Sequence, residues 1–419
     1  MRLACSECGA VAENGTISCG VCGGLLAFGL EPQAYESATL RQIFAQRRLS
    51  NDPLDTSGVW RFRELLPPIA AADVVTLREN QPPLYPAPAA ARYAEATRVS
   101  YLHLGMNPTA SFKDAGMTAA ISQAKAAGAQ VAACASTGNT AASMAAYCAR
   151  AGMTALVLVP AVGISAAKVA QTLDYGATVV AIDGDFDRAL ALVRALDPAR
   201  VAIVNSVNPH RIEGQKCAAF ALLEARGWRA PDWLVLPGGN LGNTSAFGKG
   251  FREALALGLI DRLPRIAVVQ AAGAAPFTAV FRDGGELRPV RAHTTATAIN
   301  IGAPASWRKA LAEVRAARGT VVAVSDDAIA DARAVVGRDG VGCEPASAAS
   351  LAGLRELRGA GLIERDDDVV LVLTGHLLKD TAYAAAYHDS NAQFANRIRS
   401  APTDAALRVL IESVTSAHV

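Results

Sequence analysis

Short apolar runs alternate with helical segments along most of this chain, and that alternation sharply limits the architectures open to it. The runs are Val131–Ala135, Ala155–Val159, Thr178–Ile182, Val201–Val204, Trp233–Leu236, Arg265–Gln270, Thr320–Val324 and Asp368–Leu373. Between them lie segments such as Ala115–Ala127, Thr140–Arg150 and Asp185–Leu196, which carry alanine and leucine at helical spacing. Strands separated by helices of about 10–15 residues build βαβ units and parallel sheets, so the expected fold class is α/β. The length of 419 residues points to two or three domains. A proline-rich stretch from Pro67 to Pro88 reads as an extended surface connection ahead of this region.

Composition removes several classes of function. Hydrophobic residues make up 51% and charged residues 19%, a globular rather than a disordered balance. Forty basic and 38 acidic side chains leave a formal charge of +2, with no dense Lys/Arg cluster. That argues against a nucleic-acid or membrane-surface partner held by bulk electrostatics. The uncharged stretch from Ala126 to Ala149 includes Gln130, Asn139, Gly128 and Gly138, too polar for a membrane span. Met1-Arg2-Leu3 runs straight into cysteines and leaves no apolar stretch for a signal peptide, so a soluble cytoplasmic protein is expected.

The cysteines fall into two groups. Cys134, Cys148, Cys217 and Cys343 are scattered through apolar contexts and read as small buried hydrophobes. Cys5, Cys8, Cys19 and Cys22 form two Cys-x-x-Cys knuckles, with Gly9, Gly20, Gly23 and Gly24 close by. Such knuckles can set four thiolates tetrahedrally around a structural zinc, although the gap between them is shorter than the usual ribbon spacing. A metal-free or redox-labile module is the alternative.

In α/β folds, ligands bind where strands end and helices begin, and loops at such places carry the chemistry here. Asn107-Pro108-Thr109-Ala110-Ser111-Phe112-Lys113-Asp114 holds a lysine beside an aromatic residue just before a helix. Such a lysine can form a Schiff base if desolvation lowers its pKa. Ser136-Thr137-Gly138-Asn139-Thr140 opens the helix after Val131–Ala135 with three hydroxyls, suited to a carboxylate or phosphate or simply to capping. Pro237-Gly238-Gly239-Asn240-Leu241-Gly242-Asn243-Thr244 has the glycines of an anion nest and no Gly-Lys-Ser/Thr, so it is not a nucleotide P-loop. Asn205-Ser206-Val207-Asn208-Pro209-His210-Arg211 offers polar side chains and an arginine to a second anion. Thr374-Gly375-His376-Leu377-Leu378-Lys379-Asp380 places a hydroxyl after the final run.

Together these loops resemble those of the pyridoxal-phosphate enzymes of the tryptophan synthase β-subunit fold and, within that group, the threonine synthase family. Further matches are Ser57-Gly58-Val59-Trp60-Arg61-Phe62-Arg63-Glu64-Leu65-Leu66, Ile301-Gly302-Ala303-Pro304-Ala305-Ser306-Trp307 and Gly342-Cys343-Glu344-Pro345-Ala346-Ser347-Ala348-Ala349. The resemblance runs from about Ser57 to Asp380. It implies fold type II: two open, twisted, mostly parallel sheets with flanking helices, plus a small N-terminal zinc-ribbon-like module. The domains it implies are a ribbon over 1–30, a large cofactor-binding domain over 31–120 and 205–390, a smaller mobile substrate-binding domain over 121–204 and a helical tail over 391–419.

The resemblance also implies roles. Lys113 forms the Schiff base with pyridoxal 5'-phosphate and becomes a general base once substrate displaces it. Asn139 bonds the cofactor's phenolic oxygen, Gly238, Gly239, Asn240, Leu241, Gly242 and Asn243 hold its phosphate, and Thr374 faces its pyridine nitrogen. Ser136, Thr137 and Thr140 take the substrate carboxylate, and Asn205, Ser206 and Arg211 its phosphate. The implied reaction converts O-phospho-L-homoserine and water to L-threonine and phosphate, and fixing both ends of that small phosphorylated amino acid aims its Cα and Cβ protons at one lysine. A homodimer is the implied assembly. The chain departs from the family at Ala110 and Leu377, where glycine is usual, and at Ala115, commonly basic or polar. The segment Tyr101-Leu102-His103-Leu104-Gly105 lacks the family's Lys/Glu character. These departures leave open a paralogue such as a cysteate synthase acting on O-phosphoserine. A non-catalytic regulator of the same fold would not need Lys113 together with both anion loops.

Overall fold

The computed structural model describes residues 1–13, 15–32, 35–162, 166–197, 200–396 and 398–416. Two short strands, β1 (Arg2–Cys5) and β2 (Leu26–Gly29), pair antiparallel around the N-terminal cysteines. Two more, β3 (Leu84–Pro86) and β4 (Arg98–His103), precede the alternating region. Every anticipated apolar run then forms a strand: β5 (Val131–Ala135), β6 (Thr154–Pro160), β7 (Thr178–Ile182), β8 (Val201–Ile203), β9 (Trp233–Pro237), β10 (Arg265–Ala271), β11 (Thr320–Val324) and β12 (Asp368–Leu373).

These strands build two sheets. One has the order β11-β10-β9-β12-β4-β3 and the other β7-β6-β5-β8. All neighbours are parallel except β3, which runs antiparallel to β4 at the edge. A parallel sheet needs both faces covered, which explains why β9 is buried throughout and β10 and β12 at all but their first residues. The chain divides into two compact units, Met1–Lys379 and Asp380–Val419, the second containing helices Thr381–Asp389 and Asp404–Ser416. Among the described residues, no helix is long and apolar enough to cross a membrane.

The proline-rich stretch is not the surface connection expected from its composition. It contains a 3-10 turn at Ala71–Asp73 and the edge strand β3, and it buries Glu79 and Asn80. The Glu79 carboxylate accepts bonds from Tyr147 Oη at 2.8 Å, Thr76 Oγ1 at 3.0 Å and Leu77 N–H at 2.9 Å. Proline marked the irregular backbone correctly, but the buried carboxylate pulls that backbone inward, because such a group must be satisfied by several donors.

Three helices fix the framework of the site. Lys113–Ala126 (the lysine helix) and Gly242–Ala256 (the glycine-loop helix) pack on Pro209–Ala225 (the arginine helix). Contact is backbone to backbone where glycine permits it. A Cβ on Gly214 would lie 1.9 Å from the Ala115 carbonyl, one on Gly116 2.9 Å from that of Arg211, and one on Gly250 2.7 Å from that of Lys216. Gly214→Ala is therefore expected to force the arginine and lysine helices apart. It should lower unfolding stability by about 1–3 kcal/mol in a denaturant titration, the usual range for overpacking.

Candidate active site

Lys113 does not precede its helix, as expected, but is the helix's first residue. The preceding loop is tied down on two sides. The Thr109 N–H and hydroxyl donate to Asp114 at 2.7 and 2.5 Å, and Ser143 Oγ of helix Asn139–Ala151 donates to the same carboxylate at 2.6 Å. The Phe112 N–H donates to the Thr374 carbonyl at 2.8 Å, and the His376 N–H to that of Ala110 at 3.0 Å. Ala110 thus sits between two loops with φ of +65°, in the left-handed region that costs a non-glycine residue about 1–2 kcal/mol. The family's usual glycine would meet this requirement without that cost. Lys113 Nζ lies 4.2 Å from the centre of the Phe112 ring. Burial of its ammonium, reinforced by the positive charge of Arg211 and opposed by Glu344, pushes its pKa down to about 7.

The glycine loop closes on the same region. Leu241 takes a left-handed conformation at φ +63°, and the Ser245 N–H to Leu241 carbonyl bond of 3.0 Å is the first of its helix. The amides of Gly242, Asn243 and Thr244 therefore lack intrahelical acceptors, as the first turn of a helix must. Asn243 Nδ2 and Thr244 Oγ1 are buried there without a protein partner. A Cβ on Gly238 would lie 2.6 Å from Val268 Cγ1, and one on Gly239 3.2 Å from the Ala298 carbonyl, so the loop is close-packed on one side. Orphaned donors above a packed floor fit a phosphate group. The Asn240 side chain is turned to its neighbours instead, donating to Ser206 Oγ at 2.6 Å and accepting from the Ala305 N–H at 2.5 Å. Its bond to Ser206 joins the two expected anion loops.

A buried carboxylate, with no role implied by the resemblance, joins two other loops of the site. Glu344 accepts from Asn139 Nδ2 at 3.0 Å and from Thr374 Oγ1 at 3.3 Å. Burial pushes its pKa upward. Ser347 Oγ lies 2.9 Å from Thr374 Oγ1 and accepts from the Thr374 and Gly375 amides. A Cβ on Gly375 would come within 2.3 Å of the Glu344 carboxyl. The motif Gly342–Ala349 signalled this region, but only the fold shows that its glutamate joins Asn139 to Thr374 across 205 and 30 residues of chain. The Leu377 departure is accommodated nearby, where a Cβ on Gly342 would lie 2.7 Å from that of Leu377.

Ser136, Thr137 and Thr140 are half-buried around the start of helix Asn139–Ala151, which has no side-chain cap. Asn205, after β8, reaches the end of the neighbouring strand β5 just before Ser136. Its amide exchanges bonds with both backbone groups of Ala135, at 3.3 and 3.2 Å, so it extends the β8–β5 pairing and keeps one further amide proton. Arg211 is only 2% exposed. Its guanidinium donates to the Val204 carbonyl at 3.2 Å, its Nε has no protein partner, and no carboxylate pairs with it among the described residues. Burial without a counter-charge pushes its pKa down to about 10.

Away from this cleft, the Sγ atoms of Cys5, Cys8, Cys19 and Cys22 lie within 4.8 Å of one another, the closest pairs at 3.5 Å. A tetrahedral site with metal–sulfur bonds of about 2.3 Å needs sulfur–sulfur edges of about 3.8 Å, so the four thiols fit one metal ion. Amides of Glu7 and Val21 point at Cys5 and Cys19 Sγ, both at 3.4 Å. The four scattered cysteines are buried and unpaired, as expected.

Residues 75–375 match the family described as pyridoxal-phosphate dependent enzyme. A threonine synthase of Methanosarcina acetivorans is 42% identical over 388 residues, which is 90% of this chain and 92% of that protein. One from Synechocystis is 48% identical over 337 residues, covering 78% and 86%. Among solved structures, Escherichia coli threonine synthase superposes with a TM-score of 0.68 at 20% identity, covering 99% of this chain and 100% of that one, a likeness of fold.

The depressed pKa of Lys113 has a direct chemical signature. In cofactor-free protein, Lys113 should react with an amine-acylating reagent with a midpoint near its pKa of about 7, while ordinary lysines stay protonated to about 10.4. Arg211→Gln removes a neighbouring positive charge and should move the midpoint upward. Peptide mapping of the labelled lysine against pH reads both outcomes.

Proposed function

The chain belongs to the threonine synthase family of pyridoxal-phosphate-dependent enzymes, and from that premise we propose that it converts O-phospho-L-homoserine and water to L-threonine and phosphate. The observation that carries the substrate assignment is Arg211: a buried guanidinium with an unpartnered Nε and, among the described residues, no paired carboxylate. A buried charge left unpaired is costly, and a phosphate supplies the missing partner with bidentate geometry. The Ser206 hydroxyl, joined to the glycine loop through Asn240, and the remaining amide proton of Asn205 would add further contacts.

Pyridoxal phosphate, when bound, supplies the electron sink that makes proton loss next to the amino group feasible. Gly239 to Asn243 would hold its phosphate on their free amides, with Gly238 packed beneath. Asn139 retains a second amide proton beyond the one given to Glu344, and that donor would serve the phenolic oxygen. The Thr374 hydroxyl would face the pyridine nitrogen, a neutral partner that leaves the nitrogen less protonated than an aspartate would. Ser136, Thr137 and Thr140 would fix the substrate carboxylate.

With both ends of the substrate held, Lys113 Nζ would serve as the one base for both Cα and Cβ. A pKa of about 7 lets that amine accept and return a proton at neutral pH, the condition for efficient general acid–base catalysis. The small sheet β7-β6-β5-β8 with its helices would form the substrate domain and the large sheet the cofactor domain. The four N-terminal cysteines would hold one structural zinc. A homodimer in the cytoplasm completes the reading.

Turnover of O-phosphohomoserine and O-phosphoserine, measured side by side on the purified protein, tests the proposal. Preference for O-phosphoserine would assign the chain to a cysteate synthase instead. Arg211→Ala should lower kcat/KM for O-phosphohomoserine by about 2–5 kcal/mol in transition-state terms, because it leaves a dianion poorly paired. Cofactor absorbance should persist. Lys113→Ala should abolish turnover and the protein-linked chromophore. Metal analysis should find about one zinc per chain, with four closed ligands.

A further inference from the structure

The N-terminal cysteine module packs, through β2, against the first turn of the arginine helix. Phe28 of β2 is 3% exposed, and its ring centre lies 4.8 Å from that of His210, the residue immediately before Arg211. The Phe28 carbonyl accepts a bond from Lys249 Nζ at 2.6 Å, and Lys309 Nζ donates to the carbonyl of Leu26. Lys249 belongs to a buried network on the arginine and glycine-loop helices. It pairs with Glu213, Glu213 with Lys216 at 2.7 Å, and Lys216 with Glu253 at 2.7 Å. Two positive and two negative charges are thus buried beneath β2. Such a network is stable only while water is excluded and its hydrogen bonds are met, and β2 meets one of them with its own backbone.

The turn that carries Arg211 is anchored by backbone and Asn208 bonds, and its His210 ring is held by packing. The His210 N–H donates to Asn208 Oδ1 at 3.0 Å and the Arg211 N–H to the Asn208 carbonyl at 3.2 Å, but buried His210 Nε2 has no protein partner. What presses on the His210 ring is Phe28. In turn, β2 is held by β1, where Cys5, one of the four clustered thiols, lies opposite Leu26. An unbroken series of contacts therefore runs from the cysteine cluster through Leu26 and Phe28 to His210 and Arg211.

We infer that Phe28 is a positioning residue for the phosphate site: β2, braced by a metal in the cysteine cluster, holds the first turn of the arginine helix so that Arg211 meets the substrate's phosphate. The inference rests on Arg211 being the phosphate ligand, and it makes the metal module a determinant of ligand affinity as well as of stability. The module takes no part in the chemistry. Its influence is confined to the end of the substrate that Arg211 binds.

The test uses the full-length, cofactor-loaded protein and two ligands: inorganic phosphate, and homoserine, which keeps the carboxylate and lacks the phosphate. Binding of each is followed by calorimetry, alongside KM, kcat and cofactor absorbance. Phe28→Ala is expected to weaken phosphate binding and raise KM for O-phosphohomoserine by about tenfold, since a small displacement of a positioned group is costly. Homoserine affinity and cofactor absorbance should stay within about twofold of the parent. The milder Phe28→Leu should shift phosphate binding the same way by less, and stripping the metal from the parent should reproduce the Phe28→Ala pattern. Equal losses for phosphate and homoserine, or no loss for either, would overturn the inference. Arg211→Gln separates the two levels: if it leaves phosphate binding intact, the assignment of Arg211 fails, whereas if only Arg211→Gln weakens binding, the role of Phe28 alone fails.

Discussion

The arginine helix meets its two neighbours without intervening side chains, at Gly214 against Ala115, Gly116 against Arg211 and Gly250 against Lys216. Backbones at that distance cannot slide without collision, because interiors packed this closely have little room to yield. These contacts set where Lys113, Arg211 and the glycine-loop amides stand relative to one another, since each lies at the start of one of the three helices. Side-chain packing could have joined the helices more loosely. Glycine contacts make their spacing a property of the backbone.

The same framework tolerates polar groups that would otherwise be unfavourable. Arg211, Asn243 and Thr244 keep buried donors without protein partners, and burial pushes the Glu344 carboxyl's pKa upward. Each is destabilising in isolation. Arg211 and Glu344 both act electrostatically on Lys113, and ligand groups of opposite character would satisfy such buried groups. Ala110 adds a backbone contribution, held in a left-handed conformation by bonds to both flanking loops. Local cost of this kind persists at sites whose surroundings over-determine the geometry.

Most of the parallel strands were legible because each is a largely apolar run between helical segments, as the doubly buried β9, β10 and β12 require. The edge strand β3 and its neighbour β4 were not. Leu84-Tyr85-Pro86 lies inside a proline-rich stretch, and Arg98–His103 mixes charge, hydroxyl and imidazole with its apolar residues. The loop residues of the site were legible through their motifs, but their partners were not. Nothing local to Glu344 indicates that it bonds both Asn139 and Thr374, and nothing local to Asn205 indicates that Ala135 occupies its amide. Contacts between residues so far apart in the chain are decided by topology, which a single sequence exposes only through resemblance. The burial of Glu79 was hidden for the same reason, since its partner Tyr147 lies 68 residues away.

The strand order of the large sheet bears on how the molecule is made. β12 is the last strand in the chain, yet it lies between β4 and β9, paired with both. Until residues 368–373 are in place, β4 and β9 each present an unpaired edge, that of β9 wholly apolar, the condition under which chains pair with one another instead of with themselves. Closing the sheet this way also joins segments more than two hundred residues apart, a slow event in any folding reaction. The Phe112–Thr374 and Ala110–His376 bonds form only after that insertion. A nascent or truncated chain ending before β12 would therefore hold Lys113 without the loop that completes its surroundings, and would depend on chaperones to keep its open sheet from aggregating.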